Sequence, residues 1–340
     1  MQLGFHGLTK SGSSGYFIKK RDLIKLSATL VVQVLLVLIT VTETHWISAL
    51  SFTQKQRLQF IEAKLIWDGS VQRADVCKVF GVTPNHLSRD LSRYRNGQKD
   101  ALVYDVENRT YRPGRGFKPQ IASGSAEEYL TLLQAYSVSQ SAAVVPAMGR
   151  VAPAESLPQP SGIIEPKVLR HVLMALKNRQ GVRLVYQSLR DANPSPRTLW
   201  PHTLVFTGDR WHARAFDSKR QEFRDFVLSR CSNTSLEETD SPVPHIADAQ
   251  WNETDTVEVV PAPRLSESQK QVIAKEFGMR DVDGELVWAH QIRKCLVGYF
   301  LYRHRLENGG THGARPTQGQ NPYLALKRPE LAKQYQFSAG

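Results

Sequence analysis

The sequence predicts an α+β protein with a helical head, a central small β-barrel and a small C-terminal α/β extension. Three observations predict this arrangement. Apolar residues at helical spacing begin near residue 51, short strand-like runs separated by turns follow residue 180, and strands alternate with helices after residue 253. A chain of 340 residues has room for two or three domains of ordinary size.

The charge of the chain favours a polyanionic partner. It carries 44 Lys and Arg residues against 32 Asp and Glu residues, a formal net charge of +12. Such a surplus favours nucleic acid or an anionic membrane surface. Cys77, Cys231 and Cys295 lie far apart and form no Cys/His cluster at metal spacing. We therefore expect a protein of the reducing cytoplasm, associated with the nucleoid, with no metal site and no cofactor.

Residues 1–50 form a leader of doubtful status. An apolar run, Leu26–Val41, follows a basic stretch, but a membrane-spanning helix needs about 20 apolar residues. A membrane anchor over residues 26–46 and an export signal are two possible explanations. The third is translated upstream sequence from a misassigned start codon, which we favour because the regular pattern begins only at Ser51.

Residues 51–120 are predicted to form a winged helix-turn-helix domain. Apolar spacing indicates helices over Phe52–Trp67 and Val71–Phe80, followed by a tight glycine turn. Thr83 is a good N-cap and Pro84 suits the first position of a third helix. Two short strands complete the domain as a hairpin, and they are expected at Leu102–Tyr104 and Thr110–Arg112.

The third helix has the pattern of a DNA recognition helix. Leu87, Leu91 and Tyr94 recur at i, i+4 and i+7, so they are expected to face the other two helices. The opposite side is polar and basic, and a helix in the major groove can pair Asn with adenine and Arg with guanine. The alternative is an ordinary three-helix unit with a solvated polar face. The expected DNA contacts are Thr83, Asn85, His86, Ser88, Arg89, Ser92, Arg93 and, in the wing, Arg109 and Arg112.

Residues 121–165 are expected to form a helical linker or dimer crossing. A helical pattern at Ala126–Tyr136 precedes a stretch rich in Ala, Ser and Pro over about Ser137–Pro160. After a predicted helix at Pro166–Asn178, strand signals dominate, and short strands at this spacing predict a small barrel. The expected strands are Val182–Leu189, Arg197–Phe206, Arg210–Phe216 and Arg224–Cys231.

One stretch of the predicted barrel resembles a known family. Its segments are Pro201–Phe206, Asp209–Asp217 and Phe223–Arg230. They are similar to the WYL domain, which is named for a Trp-Tyr-Leu triplet. Here the triplet position reads Trp211-His212-Ala213, so two of its three residues differ. The arginine that follows, Arg214, and the pattern Arg-x-Phe-x-Leu-x-Arg that ends at Arg230 are kept.

The layout from Ser51 to about Arg305 resembles bacterial WYL repressors of BREX and CBASS phage-defence islands. In those proteins a winged helix-turn-helix precedes the WYL domain and a C-terminal extension follows it. The resemblance implies an Sm/SH3-like barrel over residues 166–240, an α/β extension over residues 253–306 and a tail over residues 307–340. It also implies a homodimer that represses its own phage-defence operon and responds to a nucleotide or nucleic-acid ligand.

The residues of the barrel also favour a phosphate-bearing ligand on their own. Strand alternation places Arg224, Phe226, Leu228 and Arg230 on one face, and guanidinium, hydroxyl and aromatic groups suit a nucleotide, a cyclic oligonucleotide or a strand end. Structural alternatives are Trp211 as a core residue, arginines paired with nearby aspartates, and histidines bound to backbone carbonyls. The expected ligand residues are Tyr186, Ser188, His202, Trp211, His212, Arg214, Arg224 and Arg230.

Together these features predict a sequence-specific, DNA-binding transcriptional regulator that acts as a homodimer on an inverted-repeat operator. Its half-sites are expected about one helical turn apart, ~10 bp, or a multiple of it. A ligand-dependent activator and a membrane-tethered regulator are the alternatives. The sequence contains no P-loop, HExxH or GxSxG motif, so we expect no catalytic residues and no enzymatic activity.

Overall fold

The computed structural model describes residues 45–158, 160, 162–191, 193–309 and 318–336. The chain forms two compact units, one up to residue 158 and the other from residue 159 onward. The apolar run Leu26–Val41 lies outside the described residues. Within the described ranges, no helix combines the length and the apolar character that crossing a bilayer requires.

Four helices lie between His45 and Gly97 in the described part of the first unit, and their ends follow from local sequence. Ser51 caps the longest with a capping box, in which its Oγ accepts from the N–H of Gln54 while the Gln54 side chain accepts from the Ser51 N–H. Gly81 ends the third in the left-handed conformation, with φ +61°. The helices are α1 (His45–Ser48), α2 (Phe52–Trp67), α3 (Arg73–Phe80) and α4 (Pro84–Gly97).

The core of this head begins earlier than the sequence pattern indicates. Leu50 is buried in the same cluster as Leu58 and Tyr94, and Trp46 and Ile47 pack against it. These three residues belong to the segment that sequence analysis set aside as leader. They were missed because α1 spans only one turn, which is too short to show a helical period.

A hairpin follows α4 as predicted. Strands β1 (Leu102–Asp105) and β2 (Thr110–Pro113) pair antiparallel, with Tyr104 opposite Tyr111. Val71 and Tyr111 exchange two backbone hydrogen bonds of 2.9 Å, which attach the hairpin to the segment just before α3. Helices α2, α3 and α4 together with the hairpin form a winged helix-turn-helix.

The segment expected to be a linker is in large part folded onto the head. Helix α5 (Ala126–Ser139) and the short α6 (Val145–Met148) pack together, and α6 packs on α2. Met148 is fully buried, and Gly149 lies so close to the backbone of α2 that a Cβ would be 2.6 Å from the nitrogen of Lys64. Residues 126–149 therefore belong to the first unit.

The second unit begins with helix α7 (Pro166–Asn178), which packs on a five-stranded antiparallel sheet. Strand order is β6-β5-β4-β3-β7, with β6 and β7 at the edges. Because no pairing joins β6 to β7 among the described strands, the expected Sm/SH3-like closed barrel is not confirmed. The strands are β3 (Gln180–Tyr186), β4 (Ser195–Phe206), β5 (Trp211–Asp217), β6 (Glu222–Val227) and β7 (Cys231–Asp240).

One predicted strand, Arg224–Cys231, is two elements joined by a turn. Strand β6 stops at Val227, a 3-10 turn occupies Leu228–Arg230, and β7 starts at Cys231. Strict alternation of buried and exposed residues ends here, since the consecutive residues Phe226 and Val227 are both buried. Because the turn separates Arg224 from Arg230, the expected single face that carries both arginines does not form. Strand β7 was not predicted from the sequence, because it is an edge strand with few apolar residues.

A second sheet completes this unit. Its strand order is β11-β8-β10-β9 and every pairing is antiparallel, so the extension is α+β rather than a parallel α/β arrangement. Strand β11 is buried, so the tail predicted from residue 307 is partly core. The elements are α8 (Ala249–Asn252), β8 (Thr254–Pro261), α9 (Glu267–Phe277), β9 (Arg280–Val282), β10 (Glu285–Arg293), α10 (Lys294–Arg303), β11 (Leu324–Leu326) and α11 (Glu330–Gln334).

Candidate nucleic-acid interface and ligand site

Helix α4 begins at the predicted cap. Thr83 has extended backbone angles, and its Oγ1 accepts a hydrogen bond from the backbone N–H of His86. Pro84 occupies the first helical position, and the His86 ring nitrogen Nδ1 lies 3.0 Å from Thr83 Oγ1. The first turn is therefore fixed by its own sequence, which also fixes where the helix starts relative to the Gly81 turn.

The two sides of α4 are as predicted. Leu87, Leu91 and Tyr94 are buried against α2 and α3. The polar side chains point away from the core: Ser88 is half-buried, while Asn85, His86, Arg89, Ser92 and Arg93 are exposed, as is the cap residue Thr83. The arrangement leaves hydrogen-bond donors of the kind that read base edges available on one exposed surface.

The single carboxylate of α4 is withdrawn from that surface. Asp90 lies among the polar residues of the helix but is only 2% exposed. Its Oδ2 accepts from Nε of Arg57 at 2.7 Å and its Oδ1 accepts from Nε2 of Gln54 at 3.0 Å. The exposed side of α4 is consequently more positive than the sequence suggests.

The wing places its two arginines differently. Arg109 lies exposed at the tip, with φ +50°. Arg112 is exposed on β2, but its Nε donates to Oδ2 of Asp105 at 2.9 Å. Hydrogen bonds from Asn108 and the charge of Arg112 lower the pKa of Asp105 to about 2. Arg109 thus offers an unshared charge on the described wing, whereas the charge of Arg112 is partly neutralised.

A buried carboxylate joins α2, α4 and the segment that leaves the wing. Glu62 is fully buried, and it accepts hydrogen bonds from the backbone N–H groups of Gln120, Ile121 and Ala122 at 2.7–3.1 Å. The hydroxyl of Tyr94 donates to the same carboxylate. No sequence signal announces this role, because Glu62 falls within an ordinary helical pattern.

Three of the expected ligand residues lie together in the second unit. Tyr186 packs edge-on against Phe226, and its hydroxyl accepts from the backbone N–H of Val227 at 3.3 Å. Burial raises the pKa of Tyr186, and the nearby charge of Arg230 opposes the rise. Burial lowers the pKa of His212 to about 4, and the charges of Arg210 and Arg230 add to this effect. Strand register places Tyr186 opposite Cys231 and His212 opposite Val227, and the N–H of Gln187 donates to the carbonyl of Arg230. Tyr186, His212 and Arg230 therefore lie in one region, which we call the Arg230 cluster.

Two further expected ligand residues form a buried ion network instead. The guanidinium of Arg214 is bidentate to Asp248, with Nε donating at 2.8 Å and Nη2 at 2.9 Å. Its Nη1 donates to Asp225 at 3.4 Å, and His202 Nε2 lies 3.1 Å from Asp248. Burial opposes ionisation of Asp248, but Arg214 holds the pKa of that carboxyl below its ordinary value. We call this group the Arg214 network.

The remaining three expected ligand residues lie elsewhere. Ser188 accepts from the backbone N–H groups of Arg190 and Asp191 at 3.0 Å, so it shapes the loop after β3. Trp211 is 46% exposed and its ring packs at a tilt against that of Phe206, so it is not a core residue. Arg224 donates to Glu222 at 3.0 Å.

The C-terminal extension supplies a wall to this region that sequence analysis did not anticipate. The ring of Tyr299 on α10 lies 5.2 Å from that of His212, and its hydroxyl donates to Asp225 at 3.4 Å. The Nδ1 atom of His212 has no hydrogen-bond partner among the described residues. Arg197, which was also missed, lies over the rings of Tyr186 and Phe226 with its side chain buried.

Three family models match the chain in the order of its folded parts. The winged helix-turn-helix domain of the BrxR transcriptional regulator matches residues 53–135, and the WYL domain matches residues 167–235. The C-terminal dimerization domain of the BrxR transcriptional regulator matches residues 255–331. The matches cover the head, the five-stranded sheet and the second sheet in turn.

Several curated relatives are similar over most of the chain, and each is described as the DNA-binding transcriptional repressor CapW. The protein of Escherichia coli (strain KTE188) is 32% identical over 261 residues, 77% of this chain and 86% of the relative. That of Stenotrophomonas maltophilia is 34% identical over 276 residues, covering 78% and 88%. That of Pseudomonas aeruginosa is 31% identical over 282 residues, covering 82% and 91%. The chain therefore belongs to the CapW and BrxR family of WYL-domain transcriptional regulators.

Proposed function

We propose that this protein is a homodimeric transcriptional repressor that binds an inverted-repeat operator through α4 and the wing. The observation that carries the proposal is the exposed side of α4, where Asn85, Arg89 and Arg93 are available while Asp90 is buried. Arg and Asn are the side chains that read guanine and adenine by paired hydrogen bonds. Arg109 at the wing tip adds a charge for a phosphate.

Similarity supports the sign of regulation and the oligomeric state. The relatives are described as repressors, and residues 255–331 match a C-terminal dimerization domain. A symmetric dimer presents two heads and so requires two half-sites. Since the relatives and the matched domains belong to CapW and BrxR regulators, we also propose that the repressed operon is a phage-defence operon that includes the protein's own gene.

Footprinting and gel-shift titration on the DNA upstream of the gene test this proposal. We expect protection of an inverted repeat with half-sites about one helical turn apart, ~10 bp, or a multiple of it. We expect binding at least ~10³-fold tighter than to random duplex. Equal affinity for operator and random DNA would contradict the proposal. A reporter fusion checks the sign, because an activator of the same architecture would lose expression on deletion.

We further propose that a nucleotide or oligonucleotide relieves repression by binding at the Arg230 cluster. The cluster combines a guanidinium, a phenol and an imidazole, which suit a phosphate and a base. His212 Nδ1 is buried without a hydrogen-bond partner in the described part of the chain, and such an atom is a reason to look for a ligand. Arg197 lies over the ring of Tyr186 beside the cluster, and its charge is balanced by the buried carboxylate of Asp217.

The Arg214 network offers a route from this ligand to the dimerization domain. Arg214 lies on β5, and Asp248 caps α8 just before β8 of the second sheet. A phosphate that takes over Arg214 would compete with Asp248 and weaken this link between the two sheets. The ligand would then shift the dimer toward a population with another spacing between the heads.

Operator titrations in the presence of defined probes test the ligand proposal. The probes are mononucleotides, cyclic dinucleotides and short single strands of DNA or RNA, each added at constant ionic strength. At least one class is expected to weaken operator binding by five-fold or more, a coupling of roughly 1 kcal/mol. The ligand proposal fails if none of them changes operator affinity, whereas the operator proposal would stand.

A further inference from the structure

A groove beside the last two turns of α4 includes three residues that the sequence does not single out as DNA contacts, namely Trp46, Asn96 and Gly97. Trp46 of α1 forms one wall, and the other is a stripe on α4 spaced i, i+3, i+4 and i+7. The cavity measures about 420 Å³, within the roughly 300–1,000 Å³ of clefts that hold small ligands. The groove is lined by Trp46, Arg89, Ser92, Arg93, Asn96 and Gly97, and we call it the Trp46 groove.

Trp46 is held in place by two features of α4. Its ring packs edge-on against Tyr94, with centroids 5.6 Å apart. At Gly97 the ring occupies the position of a missing side chain, because a Cβ there would lie 2.5 Å from Trp46 Cδ2. The glycine at the end of the helix thus admits the indole, and the wall of the groove depends on it.

The chemistry of the groove suits an anion. Two guanidinium groups, a hydroxyl and an amide line it, and no carboxylate does. The acid of α4, Asp90, is buried against Arg57. One N–H of Arg93 donates to Gln54 at 3.3 Å, which holds the guanidinium near the start of α2 and leaves further donors available.

The position of the groove indicates which part of DNA it would meet. In helix-turn-helix docking, the N-terminal residues of the recognition helix contact base edges. The Trp46 groove lies at the C-terminal half of α4, which in such docking would lie closer to the sugar-phosphate backbone at the border of the major groove. Contacts to phosphate fix the position of a protein on DNA without reading its sequence.

We infer that the Trp46 groove binds one sugar-phosphate unit of the DNA backbone, with Arg93 and Asn96 donating to the phosphate and Trp46 packing on the sugar. The inference rests on the proposed operator binding and deepens it, since it assigns α1 and Gly97 to the DNA-binding surface. It separates α4 into an N-terminal half that reads bases and a C-terminal half that supplies affinity.

Anisotropy titrations of a labelled operator duplex and a scrambled duplex of the same length test this inference. Asn96→Ala and Arg93→Ala should each weaken binding to both duplexes by roughly two- to ten-fold, the effect of one hydrogen bond. Gly97→Ala should weaken binding to both duplexes as well, because its methyl group displaces Trp46. The ratio of the two dissociation constants, for the operator and for the scrambled duplex, should stay as it is in the unsubstituted protein. Arg93→Ala should also reduce the slope of log K against log salt by about 0.9.

Matched variants make the test specific. Asn85→Ala, at the N-terminal end of α4, should lower the preference for the operator, measured as the ratio of the affinity for the operator to that for the scrambled duplex. Arg95→Ala removes the same charge as Arg93→Ala from an exposed position outside the groove and should leave the salt slope unchanged. Equal slope changes for the two arginines would overturn the inference, because the effect would then be one of net charge alone.

Folding and free anions are separated in the same experiment. Arg93 and Asn96 are exposed, so their variants should keep the thermal midpoint even if Gly97→Ala lowers it. Inorganic phosphate at constant ionic strength should not displace either duplex. Competition by phosphate that Arg93→Ala abolishes would mean a free-anion site and overturn the inference.

The outcomes also separate this inference from the proposed function. If the unsubstituted protein prefers its operator but all three groove variants bind like it, the groove inference alone fails. If the unsubstituted protein shows no preference for its operator, the proposed function fails, while uniform weakening by the variants would still support a backbone contact. If the protein binds neither duplex, both fail.

Discussion

The hydroxyl of Tyr94 donates a hydrogen bond of 2.9 Å to Oε1 of Glu62, and this contact ties α4 to the segment that leaves the wing. The same carboxylate accepts three backbone N–H groups of that segment. In Glu62→Gln an amide N–H₂ would face at least one of these donors and leave it buried without an acceptor. We expect a loss of roughly 1–3 kcal/mol in the free energy of unfolding. Urea unfolding followed by circular dichroism measures it.

Glu155→Gln is the matched control, because Glu155 is exposed. It should change stability by less than about 0.5 kcal/mol. Equal stability of the two variants would show that the four hydrogen bonds at Glu62 contribute nothing net.

Arg89→Ala tests base reading by α4. Arg89 is exposed, so its removal should leave stability unchanged within about 0.5 kcal/mol. Operator binding should weaken by about 1–3 kcal/mol if the guanidinium is bidentate to guanine. Titration against operators with single base changes locates the base pair, since the variant should no longer discriminate there. Arg170→Ala on α7 removes the same charge from an exposed position and should bind like the unsubstituted protein.

Arg230→Ala separates ligand response from operator binding. Arg230 is near Tyr186 and His212 and lies in the second unit, so operator affinity without ligand should change less than two-fold, about 0.4 kcal/mol. The ligand concentration for half-maximal release should rise by ten-fold or more, about 1.4 kcal/mol. Arg220→Ala, at an exposed position in the turn between β5 and β6, is the control. An unfolded Arg230→Ala protein would instead assign Arg230 a structural role.

Asp248→Asn tests competition for Arg214. The substitution removes the charge that the buried guanidinium is paired with, and removal of one partner of a buried pair costs up to about 3–5 kcal/mol. Ligand affinity should rise at the same time, because the phosphate no longer competes with a carboxylate. Isothermal titration with the active probe and urea unfolding measure the two effects. A fall in ligand affinity would exclude the competition.

The buried His212 makes stability depend on pH. Burial lowers its folded-state pKa to about 4 from an ordinary value of 6.5, so protonation favours the unfolded chain. The stabilisation is complete above pH 6.5 and is lost as pH falls toward 4. Between pH 7.5 and pH 5 the loss should be roughly 2 kcal/mol. His212→Phe should flatten this part of the profile measured by urea unfolding, and an unchanged slope would contradict the assignment.

Local patterns in the sequence predicted the head well. The spacing of Leu87, Leu91 and Tyr94 and the Thr83 cap involve neighbours within a few turns, and the structure confirms them. The position of Asp90 could not be predicted, because it depends on Arg57, which is 33 residues away. The spacing of apolar residues predicts which side of a helix is buried. It does not predict the partner of a charged residue such as Asp90, which lies at the edge of the buried side.

The ligand region was harder to predict for the same reason. Tyr186, His212 and Arg230 lie in one region, whereas Arg214 pairs with Asp248, which is 34 residues further along the chain. The strand rule also failed at Leu228–Arg230, where a 3-10 turn interrupts alternation. Neither the connector that carries Asp248 nor α10 that carries Tyr299 shows a motif, so their approach to the first sheet is visible only after folding.

The burial of Leu50 with Trp46 and Ile47 bears on how the head can be isolated. A fragment started at Ser51, where the regular pattern begins, would expose the hydrophobic pocket that these side chains fill. Such a fragment would be prone to self-association, and its weakened DNA binding would be mistaken for a property of the recognition surface. A fragment that begins before His45 would keep Trp46, Ile47 and Leu50 packed in this hydrophobic core.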